Sequence, residues 1–208
     1  HTLLWDMTLQ EVVPDVITFN AALSTCEKGE AWNRAFLLQE EMSLQRVAPD
    51  VVTYSVLISA CEKGQQSELA LKLFFEMQRR GLVPNVITYN ALISVFGKGK
   101  QPERALEVFE QMQHQGLMPD AITYSALISA CEKGQQPEMA LELFRMMQRQ
   151  GLVPEVIHYN ALISACEKGK QPEWALDLLV EMKQRGLVPD VVIYNSAISA
   201  CEKGKQPK

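Results

Sequence analysis

Val86-Ile-Thr-Tyr-Asn-Ala-Leu-Ile-Ser94 returns, nearly letter for letter, as Val156-Ile-His-Tyr-Asn-Ala-Leu-Ile-Ser164, two periods of 35 residues later. The same period governs Cys-Glu-Lys-Gly, which starts at Cys26, Cys61, Cys131, Cys166 and Cys201, and Phe96-Gly-Lys-Gly occupies the missing phase. A proline precedes each return, at Pro14, Pro49, Pro84, Pro119, Pro154 and Pro189. A fixed period in this range defines a solenoid, in which each unit packs on its neighbours. Any working surface is then a row of equivalent positions, one per unit, and not a single pocket.

Within one unit the apolar spacing is helical twice over. Tyr54, Leu57, Ile58 and Cys61 fall on one helix face, and Ala70, Leu73, Phe74 and Met77 on another. Lys63-Gly64-Gln65-Gln66 separates them, and Gly64 fits the left-handed position at a helix C-terminus. Pro102, Pro137 and Pro172 suit the first turn of the second helix. Gly81, Gly116, Gly151 and Gly186 end it. The expected fold class is all-α, a solenoid of antiparallel helical hairpins with helices of about 12–14 residues and no strand signal.

Five full units follow, 16–50, 51–85, 86–120, 121–155 and 156–190. Residues 1–15 read as the C-terminal part of a preceding unit, since Leu3-Leu4-Trp5-Asp6-Met7 aligns with Leu178-Leu179-Val180-Glu181-Met182. Residues 191–208 read as the first helix of a further one. The chain is thus expected to be a segment of a longer array, with apolar surface at both ends. Unit 16–50 departs most from the pattern: Arg46 replaces the terminating glycine, Gln39 stands where others place Phe74, Phe109 or Phe144, and Trp32 replaces the proline. Looser packing is expected there.

Hydrophobic residues make up 47% of the 208, enough for a continuous core. No run reaches the roughly 18 apolar residues that span a bilayer. The formal net charge of −5 argues against indiscriminate nucleic-acid affinity and leaves room for one locally basic face. All five cysteines share one phase, so equivalent points on stacked units lie roughly 10 Å apart. That is too far for disulfides, and the cysteines read as small buried residues of a reducing compartment. His1, His114 and His158 are scattered, with no cysteine or carboxylate cluster beside them. Neither a metal site nor a catalytic triad is indicated. The chain is read as a non-enzyme without cofactor or small-molecule substrate.

Two polar positions recur. One follows the aromatic of the first helix: Asn20, Ser55, Asn90, Ser125, Asn160 and Asn195. The other closes each unit after its proline: Asp50, Asn85, Asp120, Glu155 and Asp190. The second set consists of ordinary helix N-caps, and the first could simply be solvated. Yet Asn and Ser are mediocre helix formers, and an exposed position would be free to take Lys, Glu or Gln. Ile17, Val52, Ile87, Ile122, Ile157 and Val192 form a β-branched row three residues before the first polar row. Stiff aliphatics of this kind can pack unit on unit. Lys28, Lys63, Lys98, Lys133, Lys168 and Lys203 end the first helices, where a cation meets the helix dipole. Tyr54, Tyr89, Tyr124, Tyr159 and Tyr194 could act as stacking platforms, but their apolar neighbours at helical spacing favour core packing.

The runs Val-Ile-Thr-Tyr-Asn-Ala-Leu-Ile (86–93), Ala-Leu-Glu-Val-Phe-Glu-Gln-Met (105–112) and Gly-Leu-Val-Pro-Asp (186–190), with the 35-residue length, resemble the pentatricopeptide repeat family from end to end. Uniform unit length resembles its P-class. The Trp-x-x-Leu-Gly-x-x-Tyr pattern of the related tetratricopeptide repeat is absent. The resemblance implies a right-handed superhelix that binds single-stranded RNA, one base per unit, read by the two polar rows. It implies that the β-branched row sandwiches bases and that the lysines contact phosphates.

It also assigns bases in a chemically intelligible way. A carboxylate only accepts hydrogen bonds and suits the ring N–H of uracil or guanine, whereas an amide can also donate and suits adenine or cytosine. Asn20 with Asp50 implies U, Ser55 with Asn85 A, Asn90 with Asp120 U, and Asn160 with Asp190 U. Ser125 with Glu155 departs from the usual pairing, and G is the expectation. Asn195 implies a pyrimidine. The expected target is 5′-U-A-U-(G)-U-(Y)-3′ within a longer site, in a mitochondrion or plastid, for processing, stability or translation of a transcript. Two alternatives stand beside it: a protein-binding scaffold of the tetratricopeptide kind, and the targeting module of a larger RNA-processing enzyme.

Overall fold

The computed structural model describes residues 7, 10, 12–28 (Lys28 by its backbone alone) and 32–204. The reading of 1–15 as the end of an earlier unit falls mostly outside these residues. Eleven helices run through the described part: α1 (Val16–Lys28), α2 (Trp32–Leu44), α3 (Val51–Lys63), α4 (Ser67–Arg79), α5 (Val86–Lys98), α6 (Pro102–His114), α7 (Ala121–Lys133), α8 (Pro137–Arg149), α9 (Val156–Lys168), α10 (Pro172–Gln184) and α11 (Val191–Gly204). No strand occurs among the described residues. The fold is an all-α solenoid of helical hairpins.

Local chemistry starts and stops each helix. Thr53 N–H donates to Asp50 Oδ1 at 2.8 Å, Thr88 N–H to Asn85 Oδ1 at 3.1 Å and Thr123 N–H to Asp120 Oδ1 at 2.8 Å, so the last residue of each unit caps the next first helix. Pro102, Pro137 and Pro172 occupy the first turns of α6, α8 and α10. Second helices end on Gly81, Gly116, Gly151 and Gly186 at φ 73–77°, with bonds such as Leu82 N–H to Met77 C=O at 3.1 Å that satisfy the last carbonyls. Arg46 takes the same conformation without being glycine (φ 56°).

The first helices end differently from the expectation. Gly64 is right-handed (φ −83°), and the left-handed residue is the one after it, Gln65 (φ 52°), as also Lys100, Gln135 and Lys170. The glycine serves close approach instead. A Cβ on Gly134 would lie 2.4 Å from Pro102 Cγ, on Gly169 2.3 Å from Pro137 Cγ, and on Gly64 2.9 Å from the Trp32 ring. These three first helices thus end against the residue that opens the second helix one unit earlier. Trp32 fills the proline's place by the same contact.

The chain divides into two compact units, residues 1–95 and 96–208, with the division inside α5. In the first, α1 packs on α3, and α2 on both α1 and α3. In the second, α7, α9 and α11 pack successively on one another, α8 and α10 pack on the first helices before and after them, and Gln148 of α8 donates to Glu181 of α10 at 2.8 Å. Tyr54, Tyr89, Tyr124 and Tyr159 are fully buried. Three of them meet a phenylalanine edge to face: Phe74–Tyr89 at 5.4 Å, Phe109–Tyr124 at 5.8 Å and Phe144–Tyr159 at 5.2 Å. Leu179 replaces that phenylalanine before Tyr194, whose ring instead lies 5.0 Å from the Lys183 ammonium and is partly exposed. Tyr54, Tyr89, Tyr124 and Tyr159 are core, not stacking platforms.

The cysteines are free thiols. Burial pushes Cys61 and Cys131 up to about 12 and Cys166 to about 11, so all three stay protonated and unreactive at neutral pH. In unit 16–50, α2 buries only Ala35, Leu38 and Met42. Its neighbour α4 buries Ser67, Ala70, Leu73, Phe74 and Met77.

Candidate nucleic-acid interface

The β-branched row is displayed to solvent. Ile17 is 72% exposed and Ile157 61%, and Val52, Ile87, Ile122 and Val192 are exposed as well. Half or more of each of these residues faces solvent, so unit-on-unit packing accounts for only part of its surface.

The polar rows are brought together by the stacking, and a third residue joins them. Asn20 Nδ2–H donates to Asp50 Oδ1 at 3.1 Å across 30 residues of sequence. Thr53 Oγ1 lies 2.7 Å from Asn20 Oδ1 and 3.0 Å from Asp50 Oδ1. These bonds converge on Oδ1 of Asp50. In the next unit Thr88 Oγ1 lies 2.8 Å from Ser55 Oγ and 3.1 Å from Asn85 Oδ1. The Ser55 hydroxyl donates to Val51 C=O at 2.8 Å. Thus the third residue of α3 and of α5 bridges the two polar rows, a role that sequence reading missed although the threonine recurs at a fixed phase.

Not every member of the rows is equally accessible. Ser55 and Asn90 are buried, at 5% and 9% exposure, whereas Asn20, Ser125 and Asn160 are half-buried and Asn195 is exposed. Asn85, Glu155 and Asp190 are exposed, and Asp50 and Asp120 half-buried. Asp190 accepts from Ile193 N–H at 2.9 Å, but the buried Ile193 offers no hydroxyl to bridge to Asn160. Ser125 meets His158 rather than threonine, Oγ to Nε2 at 2.8 Å.

A groove of about 350 Å³ opens on the second unit and gathers both kinds of row. Ile157 and Val192 line it together with Ser125, His158, Asn160 and Glu132. It offers apolar walls one unit apart with polar groups between, a shape matched to a flat, hydrogen-bonding ring.

The lysine row is not a bare positive track. Lys168 Nζ bonds Glu132, and Lys203 Nζ bonds Glu167 at 2.8 Å. Lys98 and Lys133 also interact with neighbouring groups. Lys63 is exposed, and the Lys28 side chain lies outside the described residues. The glutamates belong to a second unread row: Ser59 donates to Glu27, Ser94 to Glu62, Ser164 to Glu132 and Ser199 to Glu167. Burial pushes the Glu167 carboxyl up, but hydrogen bonds from Lys203, Ser199 and Ser196 and the Lys203 charge outweigh it and leave it lowered. Gly97 breaks the row. A Cβ there would stand 3.1 Å from Ala130 Cβ, so glycine lets α7 approach the end of α5. Among the described residues no group of histidines, cysteines and carboxylates could hold a metal ion, and no helix is long and apolar enough to cross a membrane.

Stacked hairpins whose first helices carry parallel rows of equivalent side chains define an α-solenoid repeat protein. The sequence matches the pentatricopeptide repeat domain model over residues 2–64, 37–99 and 142–203, a PPR repeat family model over 84–133 and a PPR repeat model over 122–152. The chain belongs to the pentatricopeptide repeat family. Among solved structures it is similar to the maize pentatricopeptide repeat protein PPR10, at 29% identity and TM-score 0.66 over 95% of this chain and 28% of that one. PPR10 in complex with an 18-nt psaJ RNA element matches at 30% identity and TM-score 0.56, over 95% and 32%. The PPR domain of Arabidopsis thaliana protein-only RNase P 1 in complex with tRNA matches at 18% identity and TM-score 0.74, over 90% and 98%, a likeness of fold. No curated protein matches the sequence. The chain spans less than a third of the length of PPR10.

Proposed function

We propose that this chain is a sequence-specific single-stranded RNA-binding module that reads one base per unit, performs no chemistry itself, and acts by occupying a transcript. The observation that carries the reading is the meeting of Asn20 with Asp50 at 3.1 Å, joined by Thr53, beside the exposed Ile17 and Val52. Two side chains 30 residues apart form one polar locus, and apolar residues stand ready to flank a ring. The complexes of PPR10 with an RNA element and of protein-only RNase P 1 with tRNA are consistent with an RNA partner. On this reading Asn20/Asp50, Ser55/Asn85, Asn90/Asp120, Ser125/Glu155 and Asn160/Asp190 select U, A, U, G and U, with a pyrimidine at Asn195. Ile17, Val52, Ile87, Ile122, Ile157 and Val192 sandwich the bases, and the lysine row meets phosphates. The family resemblance supports action in a mitochondrion or plastid.

The glutamate row favours a second reading, a protein ligand with basic side chains that would meet these carboxylates. A third, in which the chain is the targeting module of an RNA-processing enzyme, places the chemistry outside these residues. Recoding separates the first reading from the others. RNA containing U-A-U-G-U is expected to bind, and Ser55→Asn to move preference at the second base from A towards a pyrimidine while the other positions keep theirs. Equal affinity for scrambled RNA before and after the substitution rejects base readout.

A further inference from the structure

The junction of units 121–155 and 156–190 departs from its equivalents at two places together. The closing residue of the first unit is Glu155 where others have Asp or Asn, and the residue three further on is His158 where Thr53, Thr88 and Thr123 stand elsewhere. The structure links the two changes. At Asp50 and Asp120 the closing carboxylate itself accepts the threonine N–H at 2.8 Å and lies 2.9–3.0 Å from the threonine hydroxyl. It is therefore occupied at the helix start. Glu155, one methylene longer, stands exposed at the start of α9, and the His158 N–H donates to the Glu155 backbone carbonyl at 3.0 Å.

The imidazole takes over both tasks of the threonine hydroxyl. Glu155 N–H donates to His158 Nδ1 at 3.0 Å. A peptide N–H can only donate, so Nδ1 carries no proton, and the ring proton sits on Nε2. Nε2 then donates to Ser125 Oγ at 2.8 Å, while the Ser125 hydroxyl donates to Ala121 C=O at 2.8 Å. Every polar atom of this buried ring is satisfied, at 2% exposure. A threonine hydroxyl has one proton to share between the two polar rows. The imidazole has one for Ser125 and none for the carboxylate. His158 also lines the groove that holds Ser125, Ile157 and Asn160.

We propose that His158 is the positioning residue of this unit's base site: it holds Ser125 and closes the start of α9, the two tasks that fall to threonine elsewhere, so that Ser125 and the exposed Glu155 meet the base together. Glu155 and His158 form a coupled pair, each of which requires the other. The inference rests on the base-reading function above and deepens it at one unit.

A double-mutant cycle on the full chain tests it, with short RNAs that differ only at the fourth base. The wild type is expected to favour G over A there by about tenfold or more, the scale of a good two-bond contact. His158→Thr alone and Glu155→Asp alone each lose most of that ratio, because the first sets a short hydroxyl beside the longer carboxylate and the second leaves the shorter carboxylate beside a ring with no proton to give it. The double variant, which rebuilds the arrangement of Asp120 with Thr123, recovers it. Preferences at the first, second and third bases stay unchanged in all four proteins. Effects that simply multiply, or a His158→Thr protein that folds and keeps the wild-type ratio, overturn the coupling while leaving base reading intact. Loss of preference at every base in the wild type rejects both. Ring nitrogen chemical shifts of His158 give a measurement independent of RNA and of variant folding. A proton on Nε2 is expected, and a proton on Nδ1 overturns the proposal.

Discussion

Tyr54 and Tyr159 each place a buried hydroxyl against a carboxylate, Glu76 at 2.9 Å and Glu181 at 3.1 Å. Tyr89 and Tyr124 are equally buried, and among the described residues their hydroxyls find no partner. For Tyr124 the cause is one residue in the second helix: Met146, a poor acceptor, stands where Glu76 and Glu181 do. Desolvation, reinforced by the Glu76 hydrogen bond and charge, pushes Tyr54 up to about 12. Tyr159→Phe is expected to cost about 1 kcal/mol, the worth of one net hydrogen bond, whereas Tyr124→Phe is neutral or stabilising because it removes an unsatisfied group. Urea unfolding of the two variants checks the contrast. Asp50 offers a titration test. Burial pushes its carboxyl up, but hydrogen bonds from the Thr53 peptide, Asn20 and the Thr53 hydroxyl outweigh it and leave it below the ordinary 3.8. A lowered folded value means that its stabilisation is complete above the unfolded value and fades as pH falls through the folded one. Asp50→Asn, which keeps the cap geometry seen at Asn85, is expected to flatten the acid limb of the melting temperature against pH below about 4.

At the scale of the helix, two glycines of successive repeats do different work. Gly151 ends a second helix at φ +77° with nothing within 4 Å of a Cβ, so Gly151→Ala strains only the backbone, by roughly 1 kcal/mol. Gly169 ends a first helix in right-handed geometry with Pro137 2.3 Å from a Cβ. Gly169→Ala therefore overpacks the contact, at about 1–3 kcal/mol. Pro137→Ala should relieve much of that cost in the double variant and none of the cost of Gly151→Ala, as thermal unfolding of the set would show. The contrast explains the misplaced left-handed residue. Gly64 recurs where a helix ends, and sequence offers no way to tell a glycine kept for φ from one kept for space. The atom that demands the space, in Trp32 or in a proline, lies about one unit away in the chain.

For the molecule as a whole, charge decides how it would hold a polyanion. Six engaged lysines would give a log–log salt slope of at most about −4 on single-stranded RNA. Lys168 and Lys203 are already paired with Glu132 and Glu167, and a lysine neutralised within the protein releases fewer counterions on binding. The slope is expected to be shallower than that limit. Glu132→Gln with Glu167→Gln should tighten binding and steepen it by about −0.7 for each lysine set free. An unchanged slope would place the phosphates elsewhere. The apolar row acts in the opposite sense, since stacking on Ile157 or Val192 carries no salt dependence.

Periodicity alone settled the architecture. A 35-residue repeat of two helical patterns, with Asp or Asn before the first and Gly after the second, admits a stack of hairpins and little else, because each helix has one apolar face to bury and a neighbour of the same shape to bury it on. The rows of candidate contacts were legible for the same reason: equivalent residues of a repeat occupy equivalent places. Contacts across the stack were not legible. The bridge from Thr53 to Asn20, the pairing of Glu132 with Lys168, the glycine seated on proline and the imidazole of His158 shared by Ser125 and Glu155 all join residues about one unit apart. Sequence names both partners of such a pair. Whether they meet within 3 Å depends on the rise and rotation from one hairpin to the next, and those are set only when the cores pack.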